Sequence, residues 1–97
     1  MYEIEYTLEA VEDLKRFRKY EQRQIVDEID GQLLHEPSRE TRNRKRLRTN
    51  VVSEYELRTR QFRVFYDVDE NGEIVKIKAI GHKEGSTLFI RGKEFKL

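Results

Sequence analysis

The chain has no cysteine and no tryptophan, and a single proline and a single methionine in 97 residues. Without cysteine there can be no disulfide framework and no thiolate metal site, and the expected setting is a reducing one. No apolar run approaches the roughly 20 residues that a membrane-spanning helix needs. The opening Met-Tyr-Glu-Ile-Glu lacks the basic and apolar regions of a secretory signal. A cytoplasmic protein without a membrane partner is therefore expected. Net charge is also scarce, only +1, although 40% of the residues are charged. The distribution of charge, rather than its sum, has to carry the information.

What the chain does have is alternation. Across Glu54–Asp67, aromatic and branched residues alternate with charged ones, the period of half-buried strands. Tyr55 and Leu57 fall on one face, with Glu54, Glu56 and Arg58 on the other. Beyond a short connection at Arg60 and Gln61, Phe62, Val64, Tyr66 and Val68 share the first face. Arg63, Phe65 and Asp67 share the second. One face predicts a core. The opposite one, carrying Arg58 and Arg63 among carboxylates, is expected to stay open and polar.

The segments on either side follow similar rules. Tyr2, Ile4 and Tyr6 alternate with Glu3 and Glu5, an edge strand with an acidic outer side. Thr7 can cap a helix whose acids come early and bases late, with Leu8, Val11, Leu14 and Phe17 as the expected buried stripe. A second stripe runs through Ile25, Ile29 and Leu33, flanked by Val26 and Leu34, and Pro37 closes the region. Asn71-Gly72 suits a tight hairpin with positive φ angles. Glu73 to Ile80 reads as a further strand, with Lys76 and Lys78 on its outer side. The tail from Ser86 to Leu97 has no clear period and fits a helix, an added strand or a segment ordered by a partner. The expected fold is α+β, a single domain over residues 1–97 in the order β-α-α-β-β-β. Two helices pack on one face of a four-stranded antiparallel sheet.

Cations concentrate between Arg39 and Arg48. Arg39, Arg42, Arg44, Lys45, Arg46 and Arg48 are answered only by Glu40, a density that suits contacts to phosphate. A solvated loop is the plain alternative. Leu47 is the one apolar anchor. Metal ligation has no support, since His35 and His82 are isolated and lack ligand spacing.

This order of elements resembles the RelE/ParE superfamily of toxins from bacterial type II toxin–antitoxin modules. The resemblance spans nearly the whole chain. It runs through Lys45-Arg46-Leu47, Tyr55-Glu56-Leu57-Arg58, Phe62-Arg63-Val64-Phe65-Tyr66-Asp67-Val68 and Ile80-Gly81-His82-Lys83. It implies a RelE-like fold and an antitoxin partner. It also implies one of two activities, either ribosome-dependent, metal-independent cleavage of messenger RNA or inhibition of DNA gyrase by protein binding. A third possibility is a degenerate domain that only binds its antitoxin. No cofactor is implied. For a nuclease, the family pattern places Arg63 on the phosphate and Lys83 after the last strand, and Arg58, on the same face as Arg63, is a second phosphate candidate. His82 would be an acid, and Glu54 or Glu56 a base where relatives have lysines. Phe89 stands where nucleolytic relatives have tyrosine. Arg42, Arg44, Lys45, Arg46, Arg48, Lys76 and Lys78 would bind RNA, and Phe65, placed on the open face, could stack on a base.

Overall fold

The computed structural model describes residues 1–97. Strand β1 (Glu3–Tyr6) leads into helix α1 (Leu8–Lys15) and helix α2 (Lys19–Leu33). Strands β2 (Arg44–Arg46), β3 (Tyr55–Thr59), β4 (Phe62–Asp69), β5 (Ile74–Glu84), β6 (Thr87–Ile90) and β7 (Lys93–Phe95) follow. The expected helix pair and strands are there, and the sheet goes further, to seven strands, six in the order β2-β3-β4-β5-β6-β7 and β1 beside β5 off that path. β1 departs from the antiparallel pattern and runs parallel to the first half of β5, Glu3 opposite Ile74 and Tyr6 opposite Ile77. No helix is long and apolar enough to cross a membrane.

Local chemistry explains the element ends. The Thr7 hydroxyl accepts the Ala10 amide at 3.1 Å and starts α1. The chain then breaks over Arg16–Arg18, where the Glu21 carboxylate accepts the Arg18 amide at 3.0 Å and starts α2. Ile25, Ile29 and Leu33 are fully buried, as their spacing requires. The α1 stripe differs from expectation. Leu8 is 82% exposed, while Ala10 and Asp13 are buried and Leu14 and Phe17 half-buried. A small residue and a carboxylate thus form part of the contact face, which a search for large apolar residues passes over.

The β3–β4 turn has two residues, with Arg60 at φ 56°. The β4–β5 turn is longer than the Asn71-Gly72 hairpin expected. Asp69 pairs with Ile74, so four residues connect the strands, and the left-handed conformation falls on Glu73 (φ 53°) rather than on Gly72. The Asp69 carboxylate accepts the Gly72 amide at 3.1 Å, a side-chain turn that replaces the tight one. The tail resolves into added strands. Gly85 (φ 62°) turns β5 into β6, and Arg91 and Gly92 (φ 53° and 75°) turn β6 into β7.

The sheet has two apolar faces. The helices cover the larger core, which contains Tyr55, Leu57, Phe62, Val64, Tyr66, Val75, Ile77 and Ile80. Behind it, Phe65, Ala79, Leu88 and Ile90 form a second cluster, flanked by Leu47, Val52 and Phe95. Phe65 is therefore wholly buried and not available for stacking on RNA. The alternation on β4 holds, but β6, β7 and the loop around Leu47 close over its second face. A bulge supports this arrangement. Tyr66 faces Ile77 and Phe65 faces Ala79, leaving Lys78 as the extra residue, so β5 turns Ile77 to one core and Ala79 to the other.

The edge of β5 is served by two partners with a gap between them. β1 ends opposite Ile77, and the pairing with β6 reaches back along β5 only as far as His82, opposite Phe89. Asp13 fills the gap. Its Oδ2 accepts the Ile80 amide at 3.0 Å, in place of a strand. Its Oδ1 lies 2.9 Å from Arg91 Nε, an ion pair that fixes the β6–β7 turn although its angle falls outside that of a hydrogen bond. Burial pushes the Asp13 carboxyl up, against the opposing pull of the Ile80 amide, Arg91 and Arg16. Just beyond, β6 crosses close to Gly81. A Cβ there would lie 2.4 Å from the Phe89 carbonyl oxygen.

Candidate functional site

Strand register sorts the basic segment into two groups. Arg44 and Arg46 pair with Leu57 and Tyr55 and turn toward the helix side, while Lys45 pairs with Glu56 and turns to the other. Arg44 Nη1 donates to the carbonyls of Gln32 (3.1 Å) and Glu36 (2.9 Å), closing the C-terminal end of α2. Arg46 Nη1 donates to the Tyr55 hydroxyl at 2.9 Å, with its guanidinium 5.3 Å from that ring's centre. Arg42 and Arg48 are exposed and have no carboxylate within 4.0 Å. The run is thus part scaffold and part free charge.

The opposite side of the sheet carries a cleft of about 290 Å³. Lys45 from β2, Glu56 and Arg58 from β3, Lys83 from β5 and Lys96 after β7 line it, above Leu47, Leu88 and Phe95. Glu56 is nearly buried at its floor, and its Oε1 accepts Arg58 Nε at 2.8 Å. Arg58 itself stays half exposed. Lys45, Lys83 and Lys96 have no carboxylate within 4.0 Å. Three unpaired ammonium groups and a guanidinium around one carboxylate give the cleft a charge suited to an anion.

Arg63 lies on the same face, opposite Arg58 and Gly81, but turns away from the cleft. Its Nη1 donates to the carbonyls of Arg60 (2.9 Å) and Phe62 (2.8 Å), and Nε is buried without a partner. Burial pushes its pKa down, with the Glu56 charge working against this and that of Arg58 adding to it. Glu54 is also apart. It accepts the Val68 amide at 3.1 Å, while its own amide donates to Asp67 at 2.8 Å, so it clamps β3 to β4. Lys78 sits 4.0 Å from Asp67 beside that clamp, and Lys76 is exposed farther along β5.

His82 is on the helix side of the sheet. It pairs with Phe62 and Phe89, stacks on the Phe89 ring at 5.5 Å and meets Phe17 edge-on at 6.1 Å. The expected set of Glu54 or Glu56, Arg58, Arg63, His82 and Lys83 therefore does not converge as a whole. Glu56, Arg58 and Lys83 come together, Arg63 folds back onto its own turn, and Glu54 and His82 lie elsewhere. Lys96 joins the cleft without having been expected. The signal available for it was the alternation of Thr87–Ile90 and Lys93–Phe95 around Gly92, which marks a hairpin rather than a tail.

A family model described as the ParE toxin of type II toxin–antitoxin system, parDE, matches residues 4–86. The chain belongs to this toxin family. Two solved structures show the same architecture as this ParE-family chain. One is the RelBE2 toxin–antitoxin complex from Mycobacterium tuberculosis, with 26% identity and a TM-score of 0.74 over 84% of this chain and 91% of that one. The other is the intact E. coli RelBE toxin–antitoxin complex, with 15% identity and a TM-score of 0.63 over 88% of this chain and all of that one. No curated protein sequence matches the chain. The ParE-family chain is a type II toxin of the RelE/ParE kind, and the cleft on its non-helical face is the candidate site within that fold.

Proposed function

We propose that this toxin cleaves RNA by metal-independent transesterification in the Lys45–Arg58–Lys83–Lys96 cleft, acting on messenger RNA at the ribosome, and that a cognate antitoxin restrains it. The observation that carries the reading is the convergence of four cations on one nearly buried carboxylate. Glu56 would take the proton from a 2′-hydroxyl. The 2′-oxygen would then attack phosphorus, giving a 2′,3′-cyclic phosphate as the bond to the 5′-oxygen breaks. Arg58 and Lys45 would hold the charge that builds on the phosphoryl oxygens, and the Lys83 ammonium would return a proton to the leaving 5′-oxygen. The antitoxin reading is supported by the toxin–antitoxin complexes that share the fold.

The test is transcript cleavage mapping on translating ribosomes. Wild-type protein is expected to create new 5′-hydroxyl ends, at least about 100-fold more slowly in Glu56→Gln, as for a lost general base. Intact transcripts with folded wild-type protein, or an undiminished Glu56→Gln, would sink the reading. A second reading, inhibition of DNA gyrase by binding, draws on the family model's ParE description and on the position of His82 outside the cleft. Inhibition of gyrase supercoiling by a protein that leaves transcripts intact would select it.

A further inference from the structure

A second basic segment lies away from the cleft. Lys15-Arg16-Phe17-Arg18-Lys19 spans the break between α1 and α2, four cations in five residues around a single aromatic. All four cations are exposed, and none has a carboxylate within 4.0 Å. The helix break brings Arg16 and Arg18 beside His82, with Lys15 and Lys19 on the adjoining helix ends.

Two adjoining hollows open there, of about 470 and 210 Å³, and both are lined by Arg16, Phe17 and His82. The larger adds Arg18, Glu21, Gln61 and Phe62. The smaller adds Phe89 and Arg91 above the buried Asp13. The acids nearby are already engaged. Glu21 accepts the Arg18 amide, Asp13 holds Arg91 and the Ile80 amide, and Glu84 stands 3.6 Å from His82 Nε2. His82, stacked on Phe89 and edge-on to Phe17, remains about a third exposed. An aromatic platform rimmed by free cations, in a hollow the size of a nucleotide, is the arrangement that single-stranded nucleic acids recognise.

We propose that the α1–α2 break and the exposed side of His82 form a second RNA-binding site. It holds an unpaired base against Phe17 and His82, with the flanking phosphates on Arg16, Arg18 and Lys19. This extends the RNA reading of the toxin to the opposite side of the sheet. Gln61 joins the two sides, since it lines the larger hollow while its carbonyl accepts the Lys83 amide at 2.8 Å. One strand can therefore run from this hollow over the β3–β4 turn, past the exposed Arg60, toward Lys83 and the cleft.

The experiment is fluorescence anisotropy of a labelled oligouridylate RNA against salt concentration, for wild type, Arg18→Gln/Lys19→Gln and Lys83→Ala. Both changes at the helix break are on exposed side chains, and circular dichroism checks the fold. Losing two phosphate contacts should lower the salt slope by about 1.4, roughly 25-fold in affinity at 0.1 M salt. The His82 ring signals in the NMR spectrum should move as the RNA is added. An Arg18→Gln/Lys19→Gln protein with wild-type slope and affinity, or His82 signals that stay fixed, overturns the second site. Binding that depends on Arg18 and Lys19 while ribosomal transcripts stay intact supports the second site and removes only the nuclease reading.

Discussion

Replacing Asp13 by alanine is expected to destabilise the fold out of proportion to the size of the side chain. Asp13 is 1% exposed and stands in for the missing strand beside Ile80, whose amide is itself buried. Alanine leaves that amide without an acceptor, a cost of about 1–3 kcal/mol. Arg91 loses its partner as well, but it is partly exposed and water can take over, so this adds less than about 1 kcal/mol. Against these stands the release of a desolvated carboxylate. The net loss is expected near 2 kcal/mol, or a fall of about 8–16 °C in melting temperature for a domain of this size. Asp13→Asn keeps an oxygen for the Ile80 amide and turns an amide donor toward Arg91, so its loss should be about half as large. Since burial raises the folded carboxyl above its ordinary 3.8, the folded state binds the proton more tightly. Stability from this group is therefore fully present below the unfolded value and lost as pH rises through the folded one, a trend absent from Asp13→Asn. The assay is urea unfolding from pH 3 to 8. A loss under about 0.5 kcal/mol in Asp13→Ala, or equal losses in the two variants, would refute the role of Asp13 as a strand substitute.

Three further outcomes follow from geometry. Gly81→Ala should cost about 1–3 kcal/mol in urea unfolding, because the new Cβ would meet the Phe89 carbonyl at 2.4 Å and β6 would have to move. Glu73→Gly should gain about 0.5–1 kcal/mol in the same assay, since relief of the left-handed conformation at φ 53° exceeds the added freedom of the unfolded chain. The exposed Glu70 carboxylate accepts from Tyr2 at 2.6 Å and from Ser38, which lowers its pKa and raises that of Tyr2 to about 12. Stability from Glu70 should be present above its ordinary 4.5 and lost as pH falls through its lower folded value. That from Tyr2 should persist below pH 10 and vanish as pH rises through about 12. Unfolding is measured across both ranges with Tyr2→Phe as control, which should lose the alkaline limb entirely and keep only the part of the acid limb that Ser38 supports.

Much of the fold was legible because its strands alternate cleanly and α2 carries Ile25, Ile29 and Leu33 at helical spacing. The misreadings share a cause, namely that local pattern shows which side a residue points to but not what covers that side. Phe65 pointed where expected, yet the β6–β7 hairpin and Leu47 lie over it. Arg44 read as free charge, though α2 ends beside it with carbonyls to satisfy. His82 and Lys83 are neighbours in sequence and so must point to opposite faces of β5, which places them in different sites. Asp13 could not be found at all from periodicity. Its role comes from a gap between two strands that only the tertiary arrangement creates.

The parallel pairing of β1 with β5 bears on the order in which the molecule can assemble. From β2 to β7 each strand finds its partner next to it in sequence, so that sheet can zip from hairpins. Glu3, by contrast, meets Ile74 after 71 intervening steps of chain (74 − 3). Bringing such distant segments together is entropically slow. The first strand made is thus expected to be the last one docked, and with it the helix that delivers Asp13 to the gap. Until then the edge of β5 stands bare from Ile74 to Ile80, a template for any extended segment that reaches it before β1 does.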